Sequence, residues 1–96
     1  MSVVISLGNF DGTEKLDYED TVAKAFQLLQ TVTETSSYST SSPNIRIKCV
    51  RIWDLWNDGT NGQAQIIQGG PGWNSVKVHY QSQFGRGMKF KLQVFI

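Results

Sequence analysis

Along the second half of the chain, apolar and polar positions alternate with a period of two. In residues 88–96, Met88, Phe90, Leu92, Val94 and Ile96 fall on one side while Lys89, Lys91 and Gln93 fall on the other. That pattern belongs to a strand with one face in a core, and a helix would scatter it. Val76, Val78 and Tyr80 alternate in the same way with Lys77 and His79. In residues 45–53 the apolar set starts on Ile45, Ile47 and Cys49 and moves one place to Val50 and Ile52. Either a β-bulge near Cys49 and Val50 or a strand buried on both faces accounts for the shift.

Glycine-rich segments at 58–62, 69–72 and 85–87 punctuate these runs. Asn, Asp and Gly supply the backbone freedom that hairpin turns require. They predict three consecutive hairpins and a C-terminal four-strand antiparallel meander. Upstream, residues 3–7 read as a short strand ended by turn dipeptides, and residues 15–18 as another. Residues 20–29 are ambiguous, because Val22, Phe26 and Leu29 also share helical spacing. The Thr-rich alternation of residues 28–35 predicts a strand, with strand also the weaker expectation just before it. The run Ser-Ser-Tyr-Ser-Thr-Ser-Ser-Pro at 36–43 predicts a surface loop. Taken together these elements predict one all-β domain over residues 1–96. Its expected architecture is a small antiparallel β-sandwich or flattened barrel of about six or seven strands.

Composition narrows the function classes. Ninety-six residues, 40% hydrophobic and 18% charged, suit one globular core. The formal net charge of +1 supplies no long-range field toward a polyanion, so direct nucleic-acid binding is not expected. No stretch has the roughly 18 consecutive apolar residues of a membrane-spanning helix, so no membrane association is expected. The first seven residues lack a basic start, a long apolar core and a cleavage site, so they do not read as a signal peptide. A protein made without a signal and a mature chain with a new initiator both fit that fact.

Candidate chemistry is sparse. Cys49 is the single cysteine, and His79, the single histidine, has no sequence feature placing it beside Cys49. Gly69 to Gly72 lack the Lys-Ser/Thr of a phosphate loop. Asp54, Asn57, Asp58 and Asn61 carry oxygen ligands, but their spacing does not match an EF-hand and no Glu closes it. No enzyme, metal or cofactor is expected. Two features suit protein binding. Lys77, His79, Lys89 and Lys91 face away from their strands' apolar sides, and pairing across 85–87 would join them with Arg86 in one basic patch. Trp53, Trp56 and Trp73 sit at or near turns, where a tryptophan can anchor an interface.

The ordered segments Asp54 to Gly62, Gly69 to Gly72 and Ser82 to Gly87 resemble the three Gly-rich turns of the insect multiprotein bridging factor 2 family. The front half is similar more loosely, through Leu7-Gly8, Lys24 and Leu29-Gln30. Asn61-Gly62-Gln63 and Phe84 depart from the family's usual residues. The resemblance implies a transcription co-activator that bridges a sequence-specific factor to the general machinery, with protein partners and no DNA contact of its own. Many similar insect proteins carry signal peptides, so an extracellular haemolymph, salivary or venom binder or carrier is the alternative. Localisation follows the same fork, nuclear or cytoplasmic without a signal peptide and extracellular with one. A homodimer through paired edge strands is a further expectation.

Overall fold

The computed structural model describes residues 2–56 and 58–96, and among these it contains seven strands and no helix. They are β1 (Ser2–Leu7), β2 (Leu16–Lys24), β3 (Thr33–Ser39), β4 (Cys49–Asp54), β5 (Gln63–Gly69), β6 (Ser75–Gln81) and β7 (Met88–Phe95). Two antiparallel sheets form, a four-stranded one in the order β1-β4-β7-β2 and a three-stranded one in the order β3-β6-β5. They face each other as an open sandwich around one core.

The alternation placed the core correctly. Val50 and Ile52 from β4, Val76, Val78 and Tyr80 from β6, and Met88, Phe90, Leu92 and Val94 from β7 are all buried between the sheets. Removing a side chain such as Leu92, which is fully enclosed, costs about 3 kcal/mol through lost transfer and a residual cavity.

The four-strand meander does not form. Only β5 and β6 make a hairpin, whereas β4 and β7 pair with each other in the opposite sheet. The physical reason is that β7 has a long, fully apolar inward face and is placed centrally, flanked by β4 and β2. Alternation fixes which face a residue takes and leaves strand neighbours open. The segments 55–62 and 82–87 are therefore arches between sheets. Gly62 is absent from the left-handed region, so Asn61-Gly62 is not a hairpin turn, while Gly69, Gly70 and Gly72 do adopt positive φ in the true hairpin.

Two local expectations also change, and of the two alternatives at Cys49 and Val50 the strand buried on both faces is the one that forms. Leu28 and Leu29 lie in a turn before β3, with Leu29 at φ 60°, so the strand begins only at Thr33. Ser36 to Ser39 belong to β3 instead of a loop, because the whole strand pairs in register with β6. No bulge occurs at Cys49 and Val50, where the β4–β7 register is continuous. The start of β4 is buried on both faces: Val50 enters the core, while Cys49 lies on the outer face and donates from Sγ to the Asn9 carbonyl at 3.1 Å. Burial, aided by Glu14 and Asp11, pushes its thiol pKa up.

Register shifts mark three of the four edge strands, at Val4 in β1, Asp17 in β2 and Ile67 in β5. Bulges of this kind work against edge pairing between copies. The regular edge, β3, is tied to β2 across the sandwich. Tyr38 Oη donates to Asp17, Ser36 Oγ donates to Asp20 at 2.9 Å, and Lys24 pairs with Glu34 at 2.8 Å. Tyr18 and Tyr38 stack beside them, ring centres 4.9 Å apart.

Candidate protein-binding surface

At the end of the sandwich where β2, β4 and β6 finish, the loops 25–32, 55–62 and 82–87 meet. A cleft of about 750 Å³ opens between them, lined by Phe26, Leu55, Trp56, Asp58, Thr60, Gly85, Arg86 and Gly87. Around it, Phe26, Leu28, Leu29 and Phe84 are 66%, 77%, 74% and 65% exposed. Four large apolar side chains left in water on one end form the type of patch that marks an interaction site.

Polar side chains hold these loops in place. Buried Asn61 donates from Nδ2 to Asp54 Oδ1 and to the Lys89 carbonyl, both at 2.7 Å, and its Oδ1 accepts from Lys89 N at 2.9 Å. Asp54 also accepts from Trp56 N at 2.8 Å. Ser82 exchanges bonds with Val32: its Oγ accepts from Val32 N and its N donates to Val32 O, each at 2.8 Å. Gln83 Nε2 donates to the carbonyls of Gly59 and Asn61, both at 3.1 Å. Gly85 N donates to Gln30 O at 2.8 Å, joining loop 82–87 to loop 25–32. Two glycines permit the close packing: a Cβ on Gly62 would overlap the Gln81 carbonyl, and one on Gly87 would overlap that of Lys24. The Asp-to-Gly and Ser-Gln-x-Gly-x-Gly segments are thus the framework of this cleft. At its rim Thr60 holds the Asp58 carboxyl below its ordinary pKa through side-chain and backbone hydrogen bonds, and the Arg86 charge adds to the effect.

The structure divides the sequence-nominated residues among four places. Trp56 and Arg86 line the cleft. Trp53, Lys89 and Lys91 lie on the outer face of the four-stranded sheet, where Trp53 Nε1 donates to Gln93 Oε1 at 2.8 Å and Lys91 sits 3.6 Å from Glu19. Lys77 and His79 lie on the outer face of the other sheet, with His79 Nδ1 3.5 Å from Thr35 Oγ1. Trp73, 62% exposed, is in the β5–β6 hairpin at the far end. The single basic patch therefore does not exist, because β6 and β7 are in different sheets and their polar faces point in opposite directions. Cys49 and His79 are separated for the same reason. Asn57 of the oxygen-ligand cluster lies outside the described residues; Asp54 and Asn61 bond to each other, and Asp58 to Thr60.

Phe26, Leu28, Leu29, Leu55 and Phe84 are not among the sequence candidates, because residues 20–29 are ambiguous between helix and strand and the other segments are dominated by strand or turn signals. The available signal was Leu28-Leu29, two adjacent leucines that period-two alternation cannot bury together.

Comparison with known proteins completes the picture. The sequence profile of the family described as Transcription activator MBF2 matches residues 7–95. A probable salivary secreted peptide from Bombus ignitus is 28% identical over 82 residues, covering 85% of this chain and 60% of that protein. The chain thus spans about three-fifths of the length of this relative. No solved structure matches. With the match running from Leu7 through the last strand, the chain belongs to the Transcription activator MBF2 family.

Proposed function

We propose that this chain is a non-enzymatic protein-interaction domain whose partner docks on the loop end around Phe26, Trp56 and Phe84. The observation that carries the reading is the set of exposed apolar side chains on loops fixed by Asn61, Ser82 and Gln83. A rigid platform loses little entropy on binding, and buried aromatic anchors supply most interface energy. Family membership supports a partner within the transcription machinery, in the manner of a bridging co-activator. The likeness to a salivary secreted peptide favours a second reading, an extracellular binder using the same loop end.

The test compares the wild-type chain with a Phe26→Ser/Phe84→Ser variant as bait, in insect nuclear extract and in haemolymph or saliva. The co-activator reading expects transcription components retained by the wild type and lost by the variant, with thermal stability unchanged. Extracellular proteins lost in the same way would select the second reading. Identical captured sets for the two baits would remove the loop end as the docking surface.

A further inference from the structure

The net charge of +1 conceals an asymmetry. Each of the eight carboxylates accepts a hydrogen bond or an ion pair within the fold. Asp11 and Asp58 take Thr13 and Thr60, Glu14 takes the Asp11 and Gly12 amides, Asp54 takes Asn61, and Asp17, Asp20, Glu19 and Glu34 are engaged across strands. Of the nine Lys and Arg residues, only Lys24 and Lys91 have a carboxylate within ion-pair distance among the described residues. The acids are all engaged within the architecture, whereas seven of the cations have no acidic partner at ion-pair distance among the described residues.

One of the remaining seven cations is built into a receptor. Arg51 projects from β4 on the outer face of the four-stranded sheet, between two inward residues, Val50 and Ile52. Its guanidinium lies 4.0 Å from the Phe10 ring centre and 5.7 Å from that of Trp53. Each ring is itself held: Phe10 packs edge-on against Phe95 at 5.1 Å, and Trp53 is fixed through Gln93, which reaches Glu19 at 3.3 Å. Arg51 Nε is dry and without a hydrogen-bond partner, and the Phe10 ring lies against the guanidinium. A planar guanidinium held against an aromatic ring, with a second ring nearby, is pre-organised for the two-pronged recognition of a carboxylate.

We propose that the outer sheet face around Arg51 is a second binding site, taking a carboxylate side chain from an acidic segment of a partner protein. The flanking Phe10 and Trp53 rings give that segment's apolar residues a surface, which favours a peptide over a lipid headgroup. The site is separate from the loop end and does not depend on the function proposed for it.

The probe is a synthetic peptide alternating glutamate and leucine, compared with its glutamine counterpart and with phosphatidylserine vesicles. Binding is followed by NMR of the isotope-labelled full chain. The expected result is a shift of the Arg51 Nε and Trp53 indole signals, with the glutamate peptide bound about tenfold or more tightly than the glutamine one and weakened by salt. Arg51→Gln should remove that preference, Arg51→Lys should restore only part of it, and Phe26→Ser/Phe84→Ser should leave it unchanged. Equal binding of the two peptides, shifts confined to the loop end, no binding, or Arg51-dependent binding to vesicles alone would each overturn the proposal. If Arg51→Gln does not fold, the wild-type shift map and its salt dependence decide.

Discussion

Asn61 pairs with Lys89 through both ends of its amide, donating to the carbonyl at 2.7 Å and accepting from the N–H at 2.9 Å. A side chain here takes the place of a strand at the beginning of β7, and it also binds Asp54. Asn61→Ala would leave buried backbone groups and a carboxylate oxygen short of partners. The expected loss is about 2–4 kcal/mol in urea denaturation. Asn61→Asp should be similarly damaging, because it removes the donor and sets a second carboxylate beside Asp54. A loss below about 0.5 kcal/mol for either variant would show that water replaces these bonds.

Two pairs of glycines are constrained in different ways, and substitution should tell them apart. Gly62 and Gly87 have neighbouring backbone where a Cβ would go, while Gly12 and Gly59 are surrounded by open space at φ 90° and 76°. Gly59→Ala should cost about 1–2 kcal/mol, the penalty of a left-handed conformation. Gly62→Ala and Gly87→Ala should cost more than that or prevent folding, since strand backbone must move. Thermal melts of the three alanine variants, in equal buffer, check the order.

Tyr80 is fully buried and its hydroxyl has no hydrogen-bond partner. Burial raises its pKa to about 12, and the nearby Asp20 and Tyr18 add to the rise. A group with a raised folded pKa contributes stability that is complete below its unfolded value near 10 and is lost as pH rises toward 12. The loss should approach about 1.4 kcal/mol per pH unit across that window. Tyr80→Phe removes an unpaired polar atom, so it should be neutral or stabilising at pH 7 and should flatten the alkaline decline. Denaturation at pH 7, 10 and 11 for both proteins measures this difference, and parallel alkaline slopes would refute it.

How much of this was readable from residues follows from what each pattern encodes. Faces were legible: Phe90, Leu92 and Val94 point inward as their spacing requires. Neighbours were not, since the same spacing suits β7 beside β6 or beside β4, and the error created a basic patch that joins opposite faces. The strand at 36–39 was hidden because serine has weak strand preference, and its place is secured by bonds such as Ser36 to Asp20, sixteen residues away in sequence. The cleft was half legible. Its turn residues are identifiable, but the helical spacing of Phe26 with Val22 hides its place in a loop, Phe84 has no period, and nothing in the sequence brings Phe10 beside Arg51.

The ties between β2 and β3 differ in exposure, and their energetic contributions should differ accordingly. Lys24 and Glu34 retain 43% and 40% of their side-chain exposure, so a double-mutant cycle should give only a small coupling that fades with salt. Lys24 holds the Glu34 carboxyl below its ordinary pKa, so this small contribution is present above the ordinary value and is lost as pH falls through the lowered one. Ser36 is buried, and Ser36→Ala leaves Asp20 Oδ2 without its donor, which predicts a loss of about 1–3 kcal/mol, larger than the Lys24–Glu34 coupling. If the edges act as one latch, Ser36→Ala should also speed hydrogen exchange along β3 beyond the global change. Exchange that rises equally in β3 and β7 would mean that these bonds stabilise the sandwich as a whole and do not hold this side closed.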